Sequence, residues 1–386
     1  MRDGELQIVH TADWHLGNLF RNQPTIWRQR LQEQGMNNLI ALREQLAKQP
    51  ADLLTFAGDT FQNSRAEHSD PALFLRLLGR FQARHIVILP GNHDPYFQGG
   101  IWAELEPQLP AHVLLVRGQQ AYYDLPDIGV RLFAEPYLTR LAPESLYADT
   151  LETSSAATQI LLAHAEVLDR GQGSNYQPLS RDWLRTQNLD LILLGHIHQR
   201  SVEELGPRRC PAIYAGSATA CDQTEVGPRG SYRIVYDQVL RQVKSIDFQA
   251  FETLTIHSLD LDLGEIADQD LADLSTSPQK LAELLLNLLR GVEGLKLERD
   301  IIHLRVQGVS SEPLPLDLVA KDLQSEGLAL TLVDELRLRG SLDRGRNPFI
   351  DVLREVVTER RQGAEQAEGR RLDEAMSLII SRGERR

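Results

Sequence analysis

Side chains able to bind a metal ion follow five short apolar runs in this 386-residue chain, all before residue 200. Ile8-Val9-His10-Thr11-Ala12 leads to Asp13-Trp14-His15, and Leu53-Leu54-Thr55-Phe56-Ala57 leads to Gly58-Asp59. Ile86 to Pro90 precedes Gly91-Asn92-His93-Asp94, Ile160 to Ala163 precedes His164, and Leu191 to Leu194 precedes Gly195-His196-Ile197-His198. Imidazole, carboxylate and amide donors without thiolate suit Mn²⁺, Fe²⁺ or Zn²⁺ better than Ca²⁺ or an iron–sulfur cluster. Two such ions about 3.5–4 Å apart can bind a phosphoryl oxygen, generate hydroxide near neutral pH and stabilise charge on the attacking and leaving oxygens. That chemistry is phosphodiester hydrolysis without a covalent intermediate.

Donors so far apart in sequence must be gathered by the fold. The five runs are rich in Leu, Ile and Val and are broken by Gly or Pro, as buried sheet strands are. In layered α/β folds the functional groups collect beyond the carboxyl ends of the strands, which would bring all five endings to one edge. Within Asp13-x-His15 and His196-x-His198, one intervening residue sends both side chains the same way if the backbone stays extended. Taken singly, His164 reads as a strand-end histidine, Gly58-Asp59 as a turn and Gly-Asn-His-Asp as a loop. Only the ordered set points to a metal centre. His10, His85 and His112 fall outside it and read as structural.

The pattern Asp-x-His, Gly-Asp, Gly-Asn-His-Asp, an isolated His and Gly-His-x-His resembles that of the calcineurin-like metallophosphoesterases. More narrowly, His10-Thr11-Ala12-Asp13-Trp14-His15-Leu16-Gly17 resembles the opening of SbcD-type DNA repair exonucleases. Tyr214-Ala215-Gly216-Ser217 and Glu225-x-Gly227-x-x-Gly230 are similar to the end of the nuclease domain in a shorter bacterial branch, the YhaO-like exonucleases. The resemblance implies a layered α/β sandwich of two mixed sheets flanked by helices. It gives one metal ion to Asp13, His15 and His198 and the other to Asn92, His164 and His196, with Asp59 bridging them, and it favours Mn²⁺.

His93 is left off the metals as a candidate general acid, with Asp94 expected to bond its other ring nitrogen and raise its proton affinity. The position three after the bridging aspartate, a catalytic histidine in the eukaryotic and archaeal relatives, is Gln62 here. Glutamine can donate to a phosphate oxygen but carries no titratable proton. Gln62, Trp14, Arg21 and Tyr96 are expected to contact substrate, with basic and aromatic side chains such as Trp27, Arg28, Arg30 and Arg65 nearby.

Composition narrows the rest. The chain is 42% hydrophobic and 25% charged, an ordinary globular balance long enough for two or three domains. A net charge of −13 argues against a generic nucleic-acid coat, although two divalent ions would keep a pit holding Asp13 and Asp59 positive. Cys210 and Cys221 form no CxxC pair and read as reduced structural cysteines. With no signal-peptide pattern and no apolar stretch near the roughly 20 residues of a membrane span, a cytoplasmic protein without membrane contact is expected.

Residues 1–245 read as the metallophosphoesterase domain, with helices at Ile26 to Ala47 and Pro71 to Phe81. Residues 250–338 read as a small α/β unit: strands at Leu254 to His257, Ile301 to Val306 and Ala329 to Leu332, and helices after Ser277 and over Leu316 to Gln324. Ser277 caps, Pro278 opens and Gly291 closes the first of these helices. By resemblance this is a capping domain that helps place DNA. Residues 341–386 form apolar stripes at helical spacing. In the family, helices of this region bind the coiled-coil base of a large ATPase of the SbcC kind, and this chain has no phosphate-binding loop of its own. The expected function is DNA cleavage in repair with that partner, a homodimer being a further expected assembly. The alternatives are a phosphoesterase for small phosphodiesters or phosphomonoesters, and a scaffold with a decayed site, which the intact donor set disfavours.

Overall fold

The computed structural model describes residues 4–338, apart from positions 66 and 311 and the stretches 119–121, 145–146, 148–149, 153–156, 206–209 and 266–272. The helices expected over 341–386 therefore lie outside the described residues. All five apolar runs are strands: β1 (Glu5–Thr11), β2 (Ala51–Ala57), β3 (Ala83–Leu89), β7 (Thr158–His164) and β10 (Leu191–Gly195). With β4 (Val113–Leu115), β13 (Gly230–Asp237) and β14 (Gln242–Ala250), the first three form a six-stranded mixed sheet in the order β14-β13-β1-β2-β3-β4. The other two join β5 (Tyr123–Leu125), β6 (Val130–Ala134), β11 (Ser201–Leu205) and β12 (Cys210–Tyr214) in a second, ordered β11-β12-β10-β7-β6-β5. A two-stranded ribbon, β8 (Glu166–Leu168) with β9 (Pro178–Ser180), lies apart from both.

Strand alternation explains why the runs are apolar throughout rather than at every second residue. Ile8, Leu53 and Val87 point from the first sheet into a core shared with Ile160, Leu162, Leu191 and Leu193 of the second. Their neighbours Val9, Leu54, Ile86 and Ile88 point outward, beneath a cluster that includes Leu39, Leu42, Leu46, Phe74 and Leu77. Those residues come from helices α1 (Thr25–Lys48) and α2 (Pro71–Leu78). Leu161, Ala163, Ile192 and Leu194 form the outer core of the second sheet with Leu184. Both faces of both sheets are thus buried, the layered sandwich expected from the sequence. Helix α2 ends at Leu78 rather than Phe81, because Gly79 closes it, yet Phe81 remains buried. Among the described residues no helix is long and apolar enough to cross a membrane.

His10 joins the two sheets. Its Nδ1 lies 2.8 Å from Thr55 Oγ1 on β2, and its Nε2 lies 3.1 and 3.2 Å from the carbonyls of Leu194 and Ile213 across the core. Burial lowers its pKa to about 4, so between that value and 6.5 the unfolded chain binds a proton that the folded chain does not. Stability contributed by neutral His10 is present above pH 6.5 and is lost as pH falls. Between pH 7 and pH 5 it should decline by about 2 kcal/mol. Urea unfolding should show this loss, and His10→Gln should remove most of it; an unchanged pH slope in the variant would contradict the assignment.

The chain divides into two compact units, one covering Met1–Ile256 and the other starting at His257. The division falls later than the change in composition near Gln249 because the segment after β14 packs back on the first unit. Phe251 packs on Trp14 with ring centroids 5.6 Å apart, and the Leu254 carbonyl accepts from Gln34 Nε2 at 3.1 Å. The second unit holds a three-stranded sheet of β15 (Ile256–Asp262), β16 (Ile301–Ser310) and β17 (Ala329–Leu338), and helices Pro278–Arg290 and Leu316–Ser325. Ser277 accepts the Lys280 N–H as N-cap. Gly291 ends that helix in right-handed backbone (φ −79°), without the left-handed turn common at helix ends.

Candidate metal centre

Parallel pairing of β1, β2 and β3, and of β7 and β10, brings their carboxyl ends to one edge of each sheet. Beyond the strands the first two chain segments keep holding each other: the Asp13 N–H donates to the Gly58 carbonyl at 3.1 Å and the His15 N–H to the Asp59 carbonyl at 2.9 Å. The extended backbone expected for Asp13-x-His15 and His196-x-His198 is not what aims these side chains. Asp13 (φ 51°), His15 (φ 45°), Asp59 (φ 49°) and His196 (φ 86°) all lie in left-handed backbone. For residues other than glycine such conformations cost of order 1–3 kcal/mol each and persist where surrounding structure imposes them. Here the imposed turns fold each pair back toward a common point.

Asp13, Asp59 and His164 bring their ligand atoms within 4.8 Å of one another, as do His15, Asp59 and His93. Asp59 belongs to both groups. Its Oδ2 lies 3.3 Å from His164 Nε2 and 3.8 Å from His15 Nε2. Asn92 Oδ1 lies 3.0 Å from His164 Nε2 and 3.1 Å from His196 Nδ1. His198 Nε2 lies 3.1 Å from His15 Nε2 and 3.9 Å from Asp13 Oδ1. Donors therefore gather on both sides of Asp59, with His15 and His198 on one and Asn92, His164 and His196 on the other, while Asp13 Oδ1 lies 3.9 Å from both His198 Nε2 and His164 Nδ1.

Tautomers test whether these sets fit cations. His164 Nδ1 must carry a proton, since it faces the Ala57 carbonyl at 2.8 Å. Its Nε2 lone pair would then face the Asp59 Oδ2 acceptor at 3.3 Å, a repulsion that a positive charge between them relieves. In the protein alone that charge is a proton: burial opposes it, but Asp59 and Asp13 outweigh burial and raise His164 to about 9. His198 is likewise raised to about 9 against its burial, by the Glu225 hydrogen bond and by Asp13, while burial lowers His15 to about 3. The carboxylates thus favour a proton in each donor set. A divalent ion displaces such protons when it binds imidazole, so the donor chemistry fits one cation on each side of Asp59.

The glycines of the motifs are there for close approach. A Cβ on Gly58 would lie 2.0 Å from His164 Nδ1, one on Gly91 2.2 Å from Asp59 Oδ1, and one on Gly195 1.9 Å from the Ala57 carbonyl oxygen. Any side chain at these positions would displace a donor or the carbonyl that orients it.

Several expected roles need correction. The buried Asp94 carboxylate is turned from the His93 ring to backbone: it accepts from the N–H groups of Phe61 (3.0 Å) and Gly91 (2.8 Å), tying two site loops together. Burial pushes its carboxyl up to about 8 against those two bonds. His93 Nδ1 instead donates to the Gln62 carbonyl at 3.1 Å, and the His93 N–H donates to Asp59 Oδ1 at 2.8 Å. Gln62 therefore meets this ring chiefly through its backbone carbonyl, with its side-chain Nε2 farther off, 3.5 Å from the same nitrogen. Trp14 is fully buried against Phe56 and Phe251, so it is core and not a substrate contact. Tyr96 is half-buried against the outer core of the first sheet and donates its hydroxyl to Glu106 at 3.0 Å. Arg21 is exposed, with its carbonyl accepting from Arg28, and Trp27 is buried in helix α1.

Three residues outside the sequence pattern enter the site. Glu225 Oε1 accepts from His198 Nδ1 at 2.7 Å, and its Oε2 accepts from Ser217 Oγ (2.6 Å) and the Cys221 N–H (3.1 Å). Glu166 Oε1 lies 3.2 Å from His196 Nε2. Cys221 is free and brings its sulfur within 4.8 Å of the nearest nitrogens of His15 and His198, with burial holding its thiol well above the usual range. Glu225 stands in the Glu-x-Gly-x-x-Gly segment, a signal that could have marked it; nothing in sequence sets Glu166 apart from other glutamates.

Residues 6–200 match the model of the calcineurin-like phosphoesterase family, and the chain belongs to that family. Its members hydrolyse phosphoesters with divalent metal ions. Among solved structures the chain is similar to TT1561 of Thermus thermophilus at 16% identity and a TM-score of 0.38, covering 64% of this chain and 99% of that one. It is also similar to purple acid phosphatase PPD1 from yellow lupin seeds at 12% identity and a TM-score of 0.40. That match covers 64% of this chain and spans 54% of the lupin protein.

Proposed function

We propose that this chain is a two-metal DNA nuclease, an exonuclease or endonuclease, that holds one ion with Asp13, His15 and His198, the other with Asn92, His164 and His196, and both with Asp59. The observation that carries the reading is the place of Asp59 between the two donor sets. Divalent ions, Mn²⁺ in our reading, would supply Lewis acidity toward a phosphoryl oxygen and an activated water. The protein's own part is positional and protic. With Nδ1 committed to the Gln62 carbonyl, the Nε2 of partly exposed His93 is left to protonate the departing oxygen. Glu225 and Glu166 fix the rings of His198 and His196 through the nitrogens turned away from the centre.

The DNA substrate is supported by the opening motif through Gly17 and by the segment from Tyr214 to Gly230, both similar to bacterial repair exonucleases. Cytoplasmic action with a coiled-coil ATPase bound through the apolar stripes of residues 341–386 rests on the sequence alone. With Mn²⁺, end-labelled single- and double-stranded DNA should give product ladders that an Asp59 variant fails to produce. Activity should fall steeply with salt if several phosphates are contacted. Hydrolysis of a chromogenic phosphodiester without any DNA cleavage would replace this reading by a small-molecule phosphoesterase.

Glu225 offers a separate check on the metal assignment. Glu225→Gln should weaken one of two cation-binding events by about 10–100-fold, since carboxylates behind a ligating histidine contribute on that scale. Calorimetric titration of the metal-stripped protein would read both events. Equal weakening of both, or of neither, would contradict the placement of His198 in one set only.

A further inference from the structure

Beside His198 lies a cavity of about 330 Å³, whose lining includes Arg200, Gly216, Ser217, Arg229 and Phe248. That volume is at the lower end of ligand pockets and suits one small polar unit. Its two cations are held differently. Arg229 is buried, donates from Nη1 to Ser217 and from Nη2 to the Glu225 and Val226 carbonyls, and lies 3.6 Å from the Glu225 carboxylate. Arg200 is exposed, and its guanidinium carbon sits over the Phe248 ring, 4.1 Å from its centroid. Its one hydrogen bond runs from Nη1 to the Pro228 carbonyl at 3.0 Å, and among the described residues it has no carboxylate partner. A stacked guanidinium is pre-oriented, so its remaining edge donors can meet two oxygens of a phosphate in one plane. On a chain of net charge −13, an uncompensated arginine two residues from a cation-site histidine is a local exception.

We propose that Arg200, held against Phe248, clamps the backbone phosphate next to the scissile one, so that the site favours a polynucleotide over an ester carrying a single phosphate. This rests on the nuclease reading and assigns it a subsite on the His198 side of the centre. A phosphate at this place would relieve the mutual repulsion of Arg200 and Arg229 and leave the reacting phosphate to the cations.

The test uses the full-length protein with Mn²⁺, as wild type and as Arg200→Gln. Its two substrates are a single-stranded oligonucleotide and a nucleoside nitrophenyl phosphodiester that has no flanking phosphate. The ratio of kcat/KM, oligonucleotide over ester, should fall by about tenfold or more in the variant, through KM, as expected for a lost charge-assisted hydrogen bond. The salt dependence of oligonucleotide cleavage should shrink by about one phosphate contact. An unchanged ratio and salt slope would overturn the clamp while the nuclease reading stands. A wild-type protein that hydrolyses the ester and no oligonucleotide would overturn both.

Discussion

Asp59→Asn should lose high-affinity binding of both divalent ions and reduce phosphodiester hydrolysis by about 10³-fold or more, while the protein stays folded. Asp59 is the one donor shared by the two sets, with Oδ2 3.8 Å from His15 Nε2 and 3.3 Å from His164 Nε2. Its other oxygen accepts the His93 N–H at 2.8 Å, a bond that the amide oxygen of asparagine can still accept. The substitution removes the negative charge but keeps the shape and the hydrogen bond that positions the following loop. Loss of several kcal/mol of charge stabilisation, at about 1.4 kcal/mol for each tenfold in rate, gives the expected magnitude. Metal analysis after dialysis, turnover with added Mn²⁺ and a thermal melt separate the effects. Two tightly bound ions retained in the variant would contradict the bridge.

The opposite dissociation is expected for His93→Gln: both ions stay and turnover falls by about 10²–10⁴-fold, the usual range for a missing general acid. Asn92 already supplies the neutral ligand at this loop, through an oxygen 3.0 Å from His164 Nε2. Glutamine brings no proton that it can release near neutral pH. The loss should therefore appear in kcat, with KM little altered and metal content unchanged. His93 also lies within reach of His15 and Asp59, so the contrary outcome has a concrete meaning. Departure of an ion with His93 would make it a ligand and leave the leaving group without an identified acid.

The five strands and the convergence of their ends were legible because each functional residue follows a run that must be buried on both faces. Ile8 with Val9, or Leu53 with Leu54, can be apolar together only where a strand is sandwiched between two cores. What aims the side chains was not legible. Left-handed backbone at Asp13, His15 and Asp59 is imposed by hydrogen bonds between segments over forty residues apart, and no local preference encodes it. The same limit applies to Trp14, which looks like a stacking residue beside a motif until Phe251 arrives on it from the far end of the unit. Asp94 shows it again: its partners are backbone N–H groups, which every sequence position offers equally. Glu166, at the start of β8, joins the centre with nothing in its own sequence to mark it, whereas Glu225 stood in a recognisable segment without a role that the segment alone could assign.

The most direct measurement is anomalous diffraction from crystals soaked in Mn²⁺, since it locates the ions without reference to any substrate. The account predicts two peaks about 3.5–4 Å apart on either side of the Asp59 carboxylate, one against Asp13, His15 and His198 and one against Asn92, His164 and His196. A single peak, or a peak held by His15, His198 and Cys221 with none beside Asn92, would contradict it.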